Sequence, residues 1–212
     1  MYGFPDTTDL RLLKKSQKFP SNAICGRSNI VLSEYNKDVV SCELTHTLSE
    51  RTLPSVNCEG NVKTVFVIEI EVKRANYNRD MIAKIADAMK GSKVIFIVKF
   101  EDSCQVLINH EGHPIRSAWE KNLTFLLQGH TLDAIWENIV AIVGQINVEQ
   151  GYTLIQQIKV NELKAKLDKE IANLEKKTRA EKQPARQRAL FQQLQALKAD
   201  YQHKIEELVA TF

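Results

Sequence analysis

Apolar residues between positions 37 and 150 follow two spacings, which predict a mixture of strands and helices. Alternation of apolar and polar residues over Val40–Leu48 and over Val62–Lys73 predicts two half-buried strands. Two further strands are predicted at Val94–Phe100 and Gln105–Asn109, joined as a hairpin, and another strand at Leu123–Leu127. In the first strand, the alternation puts one set of side chains on a common face: Val40, Cys42, Leu44, His46 and Leu48.

Two helices are predicted in the same region, because apolar residues there recur every three or four positions. The first begins at Asn76 or Asn78 and ends at Gly91, and the second is capped by Thr131 and ends near Gly144. This order is a strand meander with one inserted helix, without alternating βαβ units. We therefore expect an α+β domain over residues 37–150, with a mainly antiparallel sheet and two packed helices.

The two ends of the chain differ from this central domain. Residues 1–36 contain proline at 5 and 20 and glycine at 26, which predicts an irregular segment packing on the core, with one short helix at Asp9–Lys18. Residues 151–212 are rich in helix-forming residues and predict two arms of about 25 residues, each about 37 Å long, separated at Glu181–Pro184. The spacing fits a helical hairpin or an intermolecular coiled coil, the latter including a homo-oligomer.

The second arm carries a regular apolar seam, which is the predicted partner-binding surface. The seam consists of Leu190, Leu194, Leu197, Tyr201, Ile205 and Leu208. Helix-on-helix burial of these side chains would hold a partner protein.

Positive charge is concentrated at the predicted turn between the arms. The whole chain has 29 Lys and Arg against 26 Asp and Glu, a net charge of +3 that does not by itself indicate nucleic acid. The cations at the turn predict contacts with DNA or RNA phosphates, whereas a solvated, salt-bridged turn is the alternative. They are Lys176, Lys177, Arg179, Lys182, Arg186 and Arg188.

The second predicted strand ends in a pattern with catalytic potential. Glu69, Glu71 and Lys73 share one face of this strand, as in the Mg²⁺-dependent nuclease site PD-(D/E)xK, where carboxylates hold the metal and the lysine stabilises charge. A complete site needs another acidic residue, for which Glu59 and Asp38 are candidates. Alternating charges on the solvated face of a strand are the simpler interpretation. We therefore expect a non-catalytic protein without a cofactor, and keep the nuclease as an alternative.

Other motifs exclude several classes of protein. Phosphate-binding glycine motifs and the nucleophile motif GxSxG are absent. Cys104, His110 and His113 lie close together but lack the second half of a zinc site, so no metal site is predicted. The four cysteines form no CxxC pair, and neither a secretory signal nor a bilayer-spanning segment is present, so a cytoplasmic protein without a membrane partner is expected.

Several segments together resemble an uncharacterised bacterial family, a domain-of-unknown-function family. They are Tyr2–Pro5 with Thr8, Lys15–Phe19, Leu44–Leu48, Val65–Lys73, Asp80–Ala88, Val94–Phe100, Leu132–Ile142 and, most similar of all, the helical pair from Leu163 to Arg188. Members of this family are often encoded beside helicases and DNA methyltransferases in restriction-like anti-phage loci. The resemblance implies a non-catalytic accessory subunit of a DNA-processing defence complex, docking a helicase or DNA methyltransferase. It identifies no catalytic residue, and a sequence-independent DNA-binding module is a further alternative.

Overall fold

The chain folds into two compact units, an α+β domain and a pair of long helices. The computed structural model describes residues 2–89 and 91–212, and the units are Met1–Ile146 and Asn147–Phe212. The predicted α+β class is confirmed. The boundary predicted after residue 150 lies a few residues beyond the observed one.

In the part of the chain that the structure describes, six strands form a single sheet in the order β1-β2-β3-β4-β5-β6. The strands are β1 (Gln17–Lys18), β2 (Val39–Ser49), β3 (Thr64–Val72), β4 (Lys93–Phe100), β5 (Ser103–His110) and β6 (His113–Arg116). Neighbouring strands are antiparallel except β3 and β4, which are parallel. The predicted mainly antiparallel sheet is therefore confirmed.

Four α-helices lie among the described residues of the first unit: α1 (Ser21–Ser28), α2 (Leu32–Asp38), α3 (Arg79–Ala88) and α4 (Leu132–Gly144). The two predicted helix starts are confirmed by their caps. Asn78 accepts hydrogen bonds from the backbone at the start of α3, and Thr131 does the same for α4. Helix α3 supplies the crossover that a parallel strand pair requires.

An apolar core fills the space between one face of the sheet and helices α1, α2 and α3. Cys42 on β2 and Ile68 and Ile70 on β3 are buried there, together with Tyr35 from α2 and Ile82 from α3. Helix α4 packs against β5 and β6, and the indole of its Trp136 donates a hydrogen bond to the buried ring of His110 at 3.1 Å. The sheet therefore has helices on both faces.

Strand β2 changes face along its length, which corrects the predicted alternation. Its register with β3 shifts between Val39 and Ser41 and again between Leu44 and His46. Each bulge adds a residue and reverses which side chains point to a given face. Cys42 therefore belongs to the core beside α3, whereas His46 pairs with Val67, on the opposite face from Ile68.

The first 36 residues are more regular than predicted, and the helix expected at Asp9–Lys18 is wrong. A short 3-10 helix at Asp6–Thr8 precedes that stretch, strand β1 forms its last two residues, and α1 and most of α2 follow. The strand expected at Leu123–Leu127 is also wrong. Phe125 is buried there, but its N–H bonds to the carbonyl of Tyr2 at 2.7 Å instead of joining the sheet.

The second unit consists of α5 (Leu154–Ala180) and α6 (Pro184–Val209), which pack against each other as an antiparallel hairpin. Thr153 and Gln156 form a capping box at the start of α5, and Pro184 occupies the first turn of α6. Within the described part of the chain, no helix has the length and apolar character needed to cross a membrane.

All four cysteines, Cys25, Cys42, Cys58 and Cys104, are buried free thiols. Burial raises the pKa of Cys42 to about 12. The pKa of each of the other three thiols is also raised, mainly by burial.

Candidate functional site

A group of charged side chains, which we call the Arg11 cluster, lies on the sheet face opposite the core beside α3. It consists of Arg11, Glu43, Glu69 and Lys99. Glu43 on β2 and Glu69 on β3 are direct cross-strand neighbours, so two carboxylates face each other with little exposure. The Arg11 guanidinium bridges them, at 2.8 Å from Glu43 and 3.0 Å from both oxygens of Glu69. The Lys99 ammonium is 3.4 Å from Glu69.

The N-terminal segment, residues 2–16, places Arg11 over the sheet. The N–H of Leu10 donates to the carbonyl of Thr45 at 2.8 Å, and Asp9 pairs with His46 as an isolated bridge. The ring of Phe4 stacks on Phe125 with centroids 5.0 Å apart. These contacts hold the segment across β2, so the position of Arg11 is fixed by backbone pairing as well as by charge.

The pKa values in this cluster show how strongly its charges are compensated. Burial alone lowers the pKa of Arg11, but hydrogen bonds to Glu43 and Glu69 outweigh burial and raise it above its ordinary value. The hydrogen bond from Arg11 lowers the pKa of Glu43. Burial, followed by the charge of Glu69, raises the pKa of Tyr2, which hydrogen-bonds to that carboxylate. The phenol therefore stays protonated and acts as a donor.

The structure does not bring the three residues of the nuclease motif together. Glu69 is held by Arg11 and Lys99, whereas Glu71 is exposed and accepts a hydrogen bond from Ser41 at 3.2 Å. Lys73 lies beyond the end of β3, where its ammonium donates to the carbonyl of Asn36 at 2.6 Å. The cation beside Glu69 is therefore Lys99 from the neighbouring strand.

The additional acidic residue that a nuclease would need is also engaged elsewhere. Asp38 is buried, and its carboxylate accepts hydrogen bonds from the Arg74 guanidinium and from the N–H of Asn78, both at 2.7 Å. These bonds join the end of α2 to the segment before α3. Asp38 thus has a structural role at the edge of the core.

The Arg11 cluster borders a polar cleft of about 360 Å³. Besides the four cluster residues, the cleft is lined by Lys18, Ser41, Glu71 and Glu101. Three cations and four carboxylates therefore face one another in this space. The two least exposed of these carboxylates, Glu43 and Glu69, are both paired with Arg11, so the covering N-terminal segment supplies the charge that compensates them.

Cys104, His110 and His113 lie at different places along the β5–β6 hairpin. Cys104 is at the start of β5, whereas His110 and His113 are paired across the turn. His110 accepts its hydrogen bond from Trp136, and burial lowers its pKa. Among residues 2–89 and 91–212, no group of three or more His, Cys, Asp or Glu side chains is arranged to hold a metal ion.

The predicted seam on α6 is only partly covered within the hairpin. Leu194, Leu197 and Ile205 are buried, whereas Leu190, Tyr201 and Leu208 remain half-buried. Side-chain contacts between the two arms fix their register. The rings of Tyr152 and Phe212 meet edge to face, and Tyr201 hydrogen-bonds to Asp168. The side chain of Gln187 donates to the backbone carbonyl of Thr178, and the Lys198 ammonium donates to Glu175 at 2.7 Å.

The tip of the hairpin, which we define as residues 176–188, exposes all six predicted cations. Arg179 lies 3.7 Å from Glu175, and its side chain is 82 % exposed. Within the part of the chain that the structure describes, the other five cations make no ion pair: Lys176, Lys177, Lys182, Arg186 and Arg188. Glu181, the acidic residue of the tip, accepts a hydrogen bond from the N–H of Gln183 at 2.9 Å.

The fold and these two regions define an α+β domain with a charge-compensated sheet face, followed by a helical hairpin with a basic tip. The chain belongs to the family described as Domain of unknown function (DUF4391), whose model matches residues 33–200. The matched range begins after α1, so it includes the hairpin tip but not Arg11. No curated protein and no solved structure matches the chain. The sequence resemblance to an uncharacterised family is thereby confirmed, whereas the genomic neighbourhood stays a prediction.

Proposed function

We propose that this chain is a non-catalytic accessory subunit that docks a partner protein through its helical hairpin. The observation that carries the proposal is the uneven burial of the seam. Three of its side chains are buried between α5 and α6, and Leu190, Tyr201 and Leu208 are left half-buried beside them. Two helices cover only part of each other's apolar stripe, and a helix of the partner would bury the remainder in a three-helix bundle.

The charges of the first unit support the non-catalytic part of the proposal. The buried carboxylate of the nuclease motif, Glu69, is already paired with Arg11 and Lys99. A divalent cation at that position would have to compete with both side chains. Incubation of the protein with plasmid DNA and Mg²⁺ or Mn²⁺, alongside Glu71→Ala, tests the nuclease alternative. Metal-dependent cleavage that is lost in this variant would overturn the non-catalytic proposal.

The cellular role that we propose follows from the family resemblance. The subunit would act in the bacterial cytoplasm, in a restriction-like anti-phage system, and its partner would be a helicase or a DNA methyltransferase. Extended helices are frequent docking elements between subunits, because a stiff helix loses little conformational entropy on binding.

The proposal is tested by co-expressing the full chain with the helicase and the methyltransferase encoded beside it. We expect a stable complex with one of them, which Leu190→Glu combined with Leu208→Glu weakens by at least about tenfold, the equivalent of 1.4 kcal/mol. The matched control is Gln193→Glu combined with Gln195→Glu, which adds the same charge at exposed positions of α6.

Circular dichroism would show that both double variants keep their helices. Absence of a complex with either subunit, or equal weakening by seam and control variants, would refute docking through this surface. A homo-oligomer that the seam variant dissociates, without a complex with another protein, would show that the surface joins copies of this chain instead.

A further inference from the structure

We infer that the hairpin tip binds the sugar–phosphate backbone of duplex DNA without reading its sequence. The inference adds a second contact to the proposed subunit, and it depends on the tip alone. Docking through the seam of α6 and DNA binding through the tip therefore fail or succeed independently.

Uncompensated charge is the first argument. Five exposed cations of the tip have no ion-pair partner among the described residues. Glu181 is the acidic side chain between residues 176 and 188, so the tip sequence carries six positive charges and one negative charge. Holding so many like charges together is unfavourable, and a polyanion relieves that repulsion while releasing its own counterions.

The chemistry of the tip favours phosphodiesters over other polyanions. Three of the six cations are arginines, Arg179, Arg186 and Arg188, and a planar guanidinium forms two parallel hydrogen bonds to a phosphate. The apolar residues of the tip are only alanine and proline, so it has no side chains to insert into a membrane. It also lacks an aromatic ring on which an unpaired base could stack.

The shape of the tip agrees with this ligand. The cations come from the end of α5, the connecting residues and the start of α6, so they lie together at the closed end of the hairpin. A basic end formed by two helices suits a duplex, whose phosphates line both edges of each groove. No groove in the tip is needed, because backbone contacts position a protein on DNA without reading bases.

The experiment measures binding of the full chain to a short fluorescent DNA duplex by anisotropy, over a series of salt concentrations. If all six cations contact phosphates, the logarithm of the binding constant falls with the logarithm of salt concentration with a slope of about −5. Neutralising three of them, by Lys177→Gln, Arg186→Gln and Arg188→Gln, should reduce the steepness by about 2.7 and weaken binding about 100-fold at physiological salt.

A second triple variant removes the same charge from α5, away from the tip: Lys159→Gln, Lys166→Gln and Lys169→Gln. These lysines are exposed, and we expect the variant to keep the slope of the unmodified protein. Equal loss in both variants, or no salt-dependent binding, would overturn the inference. Equal or tighter binding to polyglutamate, to anionic vesicles or to single-stranded DNA would also overturn it, because the tip would then prefer a ligand other than duplex DNA.

Discussion

Replacing Arg11 by alanine is expected to destabilise the first unit, because this one side chain compensates two neighbouring carboxylates. The guanidinium makes four hydrogen bonds of 2.8–3.2 Å, two to Glu43 and two to Glu69. After the substitution, Glu69 would keep Lys99 at 3.4 Å, and Glu43 would face Glu69 across the strands. Both repulsion and lost hydrogen bonds then act against the folded state.

The expected loss of stability in Arg11→Ala depends on how far Arg11 and Glu69 are buried. Removing one partner of a buried ion pair costs about 3–5 kcal/mol. The Glu69 side chain is 6 % exposed, but that of Arg11 is 42 % exposed, so water screens part of the interaction. Since Lys99 also remains, we expect a loss of about 2–3 kcal/mol in the free energy of unfolding. Arg11→Lys should lose about 1 kcal/mol, because an ammonium keeps the charge but not the planar fork.

Urea denaturation followed by tryptophan fluorescence is the appropriate assay. Both tryptophans, Trp119 and Trp136, belong to the first unit, so the signal follows that unit alone. Arg51→Ala is the matched control, because Arg51 is exposed, and it should change stability by less than about 0.5 kcal/mol. If Arg11→Ala is as stable as this control, the Arg11 cluster does not hold the N-terminal segment in the way described.

Two further predictions concern the same unit and the same assay. Gly60→Ala should lose about 1–3 kcal/mol, because a Cβ would overlap the carboxylate of Asp133, which caps the 61–62 backbone. Its control is Gly26→Ala, where a Cβ meets no described atom within 4 Å, and no loss is expected. Burial lowers the pKa of His46 and of His110. The unfolded chain therefore binds protons more readily, so the stability present above about pH 6.5 should decrease as the pH falls below that value.

Each of these expectations has a clear contrary result. Equal stability of Gly60→Ala and Gly26→Ala would mean that the loop before β3 moves away from α4 at little cost. Stability that stays constant or rises between about pH 6.5 and pH 5 would show that the two buried histidines are protonated in the folded protein.

The strands and helices that the sequence predicted well are those whose apolar spacing matches their burial. Strand β4 and helices α3 and α4 follow their predicted patterns, because each buries its apolar residues continuously against a neighbour. Strand β3 lies where it is predicted, but it is buried on both faces instead of being half-buried, since Val67 is as inaccessible to solvent as Ile68. Helix α1 was missed since it has few apolar residues and contains Gly26. It is stabilised by packing on α3, which local sequence does not reveal.

The Arg11 cluster could be predicted only in part. The alternation of β3 correctly put Glu69 and Glu71 on one face, but the partner of Glu69 is 58 residues away in the sequence. Nothing in the local pattern around Arg11 distinguishes it from a solvated arginine. No local sequence signal predicts the bulges of β2 either, although these bulges determine which side chains of β2 lie on the same face as Glu43. Contacts of this kind depend on how distant segments pair, so they become visible only in the folded chain.

Because all four cysteines are buried, a single cysteine introduced at the hairpin tip could be labelled selectively. Maleimides react with thiolates, and the raised pKa values of Cys25, Cys42, Cys58 and Cys104 keep these groups protonated and shielded. A cysteine introduced at the exposed Ala185 would ionise near its ordinary pKa of about 8.5 and react first. A dye attached there would sense an approaching ligand, and no background cysteine would need to be removed.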